Sequence, residues 1–357
     1  MKLFRLPLAV TIVAVALVAA WRPSLVGIVL ILGVLEVSFS FDNAVVNAKI
    51  LGRMTLGWQT IFLTVGVLIA VFGMRLVFPL IIVSLGGHMA PWRAMYLGVS
   101  DSHRYQQILT SAHPAVISFG GIFLLMIFFD WLIDEHEVRW LRVLEENLAR
   151  LGKMEQVSVV ISLVVLAGFA ELANPQKRVS VLLAGALGLA TYLAVNAIGT
   201  YFEDKEEDDD GEERSPAVTA QTAMKAGLAM FLYLEVLDAS FSFDGVMGAF
   251  AVTSNIFAIM IGLGIGALFV RTLTVYLVNR GTLQEYVHLE HGAHWAIGTL
   301  AVISLLTIRY SVSEYITGLI GVGFIAAALA SSVVLRRRSM SAEWSEGLAA
   351  GDGAVTR

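Results

Sequence analysis

Apolar residues in this chain are gathered into runs long enough to cross a bilayer, and that arrangement leaves few folds open. A hydrocarbon core of ~30 Å takes about 17–25 apolar residues as one helix, and in lipid every backbone amide must be satisfied within its own segment. Candidate spans lie near 6–20, 25–50, 58–85, 115–133, 157–174, 179–202, 224–252, 255–279, 293–309 and 315–335, ten in all. Composition agrees: 57% of the 357 residues are hydrophobic and 15% charged, where a soluble domain carries about 25% charge. The chain is expected to be an all-α polytopic membrane protein with the lipid bilayer as its first partner. A soluble enzyme, a nucleic-acid binder and a disordered chain are set aside. The sequence has no cysteine, which removes disulfides and thiolate ligands.

With the N-terminus placed in the cytoplasm, sixteen of the 24 basic residues fall on the inner side and six on the outer, while Arg75 and Arg271 lie within spans. That bias puts both termini in the cytoplasm of a cell membrane. Residues 1–24 read as a span or a signal-like segment, since Lys2 and Arg5 precede the apolar run and Val18-Ala19-Ala20 closes it. In residues 134–155, Trp140, Leu141, Leu144, Leu148 and Leu151 recur at helical spacing, which predicts an amphipathic helix on the cytoplasmic face. Residues 203–214 form an acidic cytoplasmic loop, most simply a solvated linker. The polar stretch 339–357 is expected to be disordered.

The chain nearly repeats itself. Ser38-Phe-Ser-Phe-Asp42 returns as Ser240-Phe-Ser-Phe-Asp244, with Glu36 and Asp238 each six residues before the aspartate. Arg75 is echoed by Arg271, and His113-Pro-Ala with Gly120 by His291-Gly-Ala with Gly298. The matches fall in spans two to four and seven to nine, an odd shift, so the two copies face opposite ways across the membrane. Two inverted repeats follow, 25–174 and 179–338. In secondary transporters so built, the substrate site lies near the midplane between them.

Polar groups inside such spans are expensive, and usually pair with one another or line a pathway. Glu36, Asp42, Asn43 and Asn47 share one span; Glu235, Asp238 and Asp244 share another. Five carboxylates in two spans must share protons, arginines or metal. On a regular helix Glu36, Ser40, Asn43 and Asn47 form one stripe, and Asp42 lies about 120° away. Either Asp42 serves a different partner or the helix is unwound there; the alternating Ser-Phe-Ser-Phe fits a short extended break, and broken spans are tolerated where they line a cavity. Both motif helices are therefore candidates for a break.

Carboxylate, carboxamide and hydroxyl oxygens suit hard divalent cations such as Mn²⁺, Mg²⁺ or Ca²⁺. Glu36, Asp42, Asp238 and Asp244 are the candidate ligands or proton carriers, with Asn43, Asn47 and Glu235 beside them. Arg75 and Arg271 are candidate counter-ions that neutralise carboxylates of their own repeat when the cation is absent; snorkelling to the headgroups is the alternative. His291 and His294, next to Glu290, offer a second place for a metal. The metal is cargo here, and no resident cofactor is expected. No nucleophile motif, His-Glu-x-x-His run or cofactor loop is present, so the chain does not read as an enzyme.

At these residues the sequence resembles the TerC-like integral membrane proteins, a group associated by name with tellurium resistance. The resemblance rests on Glu36…Ser40-Phe-Asp42-Asn43 and on the second copy ending in Asp244. The sequence is more similar to a branch known only as a domain of unknown function, through His113-Pro-Ala-Val-Ile-Ser-Phe-Gly-Gly-Ile-Phe-Leu-Leu-Met, Leu234-Glu-Val-Leu-Asp-Ala-Ser-Phe-Ser-Phe-Asp-Gly and Leu289-Glu-His-Gly-Ala-His. It covers roughly residues 25–338. It implies an exporter of a divalent metal, manganese foremost, related more distantly to small-solute exporters of the lysine-efflux type. A membrane scaffold delivering metal to exported proteins is the alternative. Gly245 stands where the first copy has Asn43, so the two half-sites are not chemically equal. Oligomeric state, coupling ion and transport direction are not set by the sequence.

Overall fold

The computed structural model describes residues 3–133, 140, 141, 145, 156–207, 216–281 and 286–352. Among them the regular structure is helical, without a strand. The helices are α1 (Arg5–Trp21), α2 (Val26–Phe39), α3 (Phe41–Arg53), α4 (Leu56–Gly86), α5 (Pro91–Ser100), α6 (Ser102–Ile133), α7 (Val157–Leu172), α8 (Arg178–Glu207), α9 (Pro216–Val252), α10 (Ile256–Arg280), α11 (Leu289–Leu306) and α12 (Glu314–Asp352). Within α4 the stretches Phe62–Gly66 and Ile69–Val77 are wound as π-helix.

Each of the ten expected spans coincides with helical chain, though not every one is long enough to count as a crossing by length and composition. Six helices are long and apolar enough to span, and the bent pair α2–α3 makes a seventh. The helices α1 and α7 are apolar but shorter, at 17 and 16 residues. Among the described residues, length and composition alone thus support six or seven crossings, because an apolar run marks burial or lipid contact without fixing helix length. Of the expected amphipathic helix at 134–155, only Trp140, Leu141 and Glu145 fall within the described residues, and residues 208–215 of the acidic segment fall outside them. The helix α12 continues into the polar tail as far as Asp352.

The two motif copies run antiparallel. Glu36 lies across from Gly245, Asn43 donates to Asp238, and beyond them Leu51 and Met54 share a hydrophobic cluster with Phe231 and Leu234. At the other end Leu32 clusters with Val246, Ala249 and Phe250. Rising numbers on α2–α3 thus meet falling numbers on α9, as inverted copies require. Each motif helix also packs on the arginine-bearing helix of the other repeat: α2 along α10, and α9 along α4.

The α2–α10 contact is built from glycines, which let two backbones approach without a driving hydrophobic force in lipid. A Cβ at Gly262 would lie 2.7 Å from Leu32 Cβ and 3.0 Å from the Val29 carbonyl oxygen. Gly262→Val is therefore expected to push α2 off α10 and destabilise the protein by about 1–3 kcal/mol, the usual cost of overpacking. Thermal melting in detergent reads this directly; an unchanged melting temperature would mean that the helices part freely.

The expectation of two broken motif helices is corrected in one copy. Residues Pro23–Ser38 and Asn43–Arg53 meet at a 60° bend, whereas α9 runs unbroken through Ser240-Phe-Ser-Phe-Asp244. The pentapeptide is identical in both copies, so its local preference cannot decide the matter and tertiary contacts must. Past the bend, α3 leans onto α11, where Lys49 pairs with Glu290. The backbone ladder survives the bend, with Ser40 N–H donating to the Glu36 carbonyl at 3.0 Å and Ala44 N–H to that of Ser40 at 3.1 Å.

Candidate functional site

Where the repeats cross, five charged side chains are buried together: Glu36, Arg75, Glu235, Asp238 and Arg271. Arg271 is held from several sides. Its Nη1 donates to Glu235 Oε1 at 2.8 Å, and its Nη2 to Glu235 Oε2 and Asp238 Oδ2, both at 3.0 Å. Nη1 also reaches the Phe62 carbonyl at 3.4 Å, and the guanidinium lies 4.3 Å from the centre of the Phe62 ring. A fork of donors matched to two carboxylates is the geometry in which a buried ion pair repays its desolvation.

The first repeat makes a simpler pole. Arg75 Nη2 donates to Glu36 Oε1, and its Nη1 to the Ala70 carbonyl at 2.6 Å. That carbonyl lies in the same π-helical stretch as Arg75, and single-turn π segments recur at functional sites. Ser40 Oγ donates to Glu36 Oε1 at 3.4 Å. A hydrogen bond across the repeat boundary joins the poles, from Asn43 Nδ2 to Asp238 Oδ1 at 3.0 Å. Fully ionised, these three carboxylates against two guanidiniums carry one net negative charge. Asn47 is buried one turn beyond Asn43 on α3. The side chains of Asp42 and Asp244 lie outside the described residues.

The poles differ in what surrounds them. Glu235 occupies the sequence position matching Gly33, and it sits against Gly66; in the first repeat the matching contact is Gly33 against the Gly262 carbonyl. An extra carboxylate thus fills the second pole, where the first has a glycine packed on the Gly262 carbonyl and the Ile265 side chain. Glu36, Ser40 and Asn43 line a cavity of about 370 Å³ that extends past Thr110, His113 and Ser304 to the turn at Arg309–Val312. A second cavity, of about 360 Å³, lies toward the other ends of α3, α6 and α9 and is lined by Lys49, Arg53, Asp130, Tyr192, Tyr233 and His294 among others. On α6 thirteen residues lie between His113 of the first cavity and Ile127 of the second, roughly 21 Å at 1.5 Å per residue, whereas on α3 Asn43 and Val46 line them within one turn. A smaller cavity of about 250 Å³, mostly apolar, borders Glu235.

His291 and His294 are not gathered with these carboxylates. His294 stacks on Trp131 with ring centres 4.5 Å apart, and His291 meets the edge of the same indole at 5.2 Å. Among the described residues, no group of three or more His, Asp or Glu side chains is arranged to hold a metal ion. Two carboxylates that the sequence does not single out have defined partners. Asp130 Oδ2 accepts from Tyr192 Oη at 2.7 Å. Glu145 accepts from the backbone N–H groups of Trp140 and Leu141 and from Trp295 Nε1, all at 3.1 Å, with His291 Nδ1 at 3.4 Å from its Oε1. No periodicity marks the pairings with Tyr192, Trp295 and His291, because those partners are distant in sequence.

An all-α multi-pass membrane protein, with a two-repeat charge cluster buried between opposed cavities, is the class that fold and site define. Residues 41–339 match the family described as a protein of unknown function, DUF475, and the chain belongs to that family. No curated protein and no solved structure matches it.

Proposed function

We propose that this protein is a secondary transporter that exports a divalent cation, Mn²⁺ foremost, in exchange for protons. The observation that carries the reading is Glu36: a buried carboxylate, ion-paired with Arg75, at the inner end of a cavity. A divalent cation entering that cavity competes with the Arg75 guanidinium for the same oxygen. When the cation leaves, Arg75 returns and keeps the carboxylate from standing bare in a low-dielectric site, which is costly. The oxygen-only ligand types favour Mn²⁺, Mg²⁺ or Ca²⁺ over softer metals. Asp42 and Asp244 are the remaining candidate ligands or proton carriers.

With both termini in the cytoplasm of the cell membrane, the cavity at Arg309–Val312 faces outward and the Lys49–Asp130 cavity inward. Rocking of one repeat against the other would then expose the charge cluster to each side in turn, the usual motion of inverted-repeat transporters. The resemblance to TerC-like proteins points the same way. No covalent chemistry is needed, so the protein is not an enzyme in this reading.

Binding is testable without reconstitution. A cation that binds only the folded state stabilises it by about 2.7 kcal/mol at a hundredfold excess over its dissociation constant. Mn²⁺ is expected to raise the melting temperature of the purified protein more than Mg²⁺ or Ca²⁺. No shift with any divalent cation would count against the reading.

A further inference from the structure

The antiparallel crossing makes Asn43 and Gly245 structural counterparts: Asn43 faces Asp238, and Gly245 faces Glu36. At the first of these contacts a carboxamide fills the space and donates to the carboxylate at 3.0 Å. At the second there is no side chain, and a Cβ built on Gly245 would stand 3.0 Å from Glu36 Oε2, the only group so close among the described residues. Gly245 also lines the 370 Å³ cavity together with Glu36, Ser40 and Asn43. It is not required by backbone conformation, since α9 is regular helix there and Gly245 has no positive φ. In mid-helix a glycine costs about 1 kcal/mol relative to alanine, so the local structure gains nothing from it.

We infer that the two poles have different tasks, and that Gly245 keeps the Glu36 pole open as the docking place for a hydrated divalent cation. The inference rests on the transport reading and deepens it by assigning the cation to one pole. The Asp238 pole is a brace: its carboxylate is taken up by Asn43 and Arg271, and Arg271 is gripped in addition by Glu235 and the Phe62 ring. The Glu36 pole has a single guanidinium, the Ser40 hydroxyl, a missing side chain opposite, and a cavity large enough for the cation to keep several of its waters. Gly245 is thus a positioning residue, which acts through the room it leaves over Glu36.

The test uses the full chain in nanodiscs, with bound Mn²⁺ read from the loss of the free-ion paramagnetic resonance signal, and Mn²⁺ flux measured in parallel. Gly245→Asn recreates the other pole's carboxamide and should weaken Mn²⁺ binding by about 10–100-fold, the usual effect of altering groups that orient a ligand. Its metal-free melting temperature should equal or exceed the parent's, because the new carboxamide pairs with Glu36. Gly245→Ala should fall between the two in affinity. Parental affinity in Gly245→Asn would overturn the inference while leaving the transport reading on the parent's flux. A loss of binding that follows falling melting temperatures in both variants would also overturn it, since packing would then be the cause. A parent that neither binds nor carries Mn²⁺, Mg²⁺ or Ca²⁺ would remove both.

Discussion

Arg271→Met is expected to destabilise the protein by about 3–5 kcal/mol, because removing one partner of a buried ion pair leaves uncompensated charge behind. Here the residue left behind is not one carboxylate but two, Glu235 and Asp238, both buried. Arg75→Met should cost less, since Glu36 borders a cavity from which water can reach it. The cause is separable from lost packing. Adding Glu235→Gln and Asp238→Asn to Arg271→Met removes the stranded charges at nearly constant volume and should recover most of the loss. Melting temperatures of the parent, the single variants and the triple variant in one detergent decide the matter. If the triple variant were as unstable as Arg271→Met, the guanidinium would be acting as a space-filler and the account of the brace would fail.

The second large effect is functional. Glu36→Gln keeps the shape of the side chain and a hydrogen-bond acceptor for Arg75, but removes the charge on which cation and guanidinium compete. Mn²⁺ flux is expected to fall to background while the protein still enters the membrane and purifies as a folded species. This separates it from Arg271→Met, whose loss of flux would follow loss of fold. Retained flux in Glu36→Gln would show that the cation does not use this carboxylate.

Much of this architecture is legible in the sequence because charge inside an apolar run is expensive, so each surviving polar residue stands out. Glu36, Asp238, Arg75 and Arg271 are visible for that reason, and each arginine is found on a carboxylate of its own repeat. The ordered matches between copies likewise expose the repeat, and the odd shift of spans predicts its inversion. What depends on tertiary contact is not legible. Identical Ser-Phe-Ser-Phe-Asp segments bend in one copy and run straight in the other, so no local rule separates them. The bond from Asn43 to Asp238 bridges 195 residues, and only the crossing of the repeats brings the two together. Gly245 reads in sequence as a missing asparagine; the structure adds what the gap faces. The histidines show what spacing leaves out. Glu290, His291 and His294 have spacing that suits a metal, yet the rings pack on Trp131 and Glu290 takes Lys49. Spacing along one helix end could not reveal the aromatic and basic partners arriving from α6 and α3.

The most direct test loads the purified parent protein into liposomes containing Mn²⁺ and follows release into a metal-free medium, with the outside either acidic or at the internal pH. The account predicts release by the parent, faster when the outside is acidic, because protons moving inward drive the cation out. It also predicts none from Glu36→Gln vesicles carrying the same amount of folded protein. Equal release from parent, variant and protein-free vesicles would contradict the account. Release by the parent that ignores external pH would leave a cation pathway and contradict proton exchange.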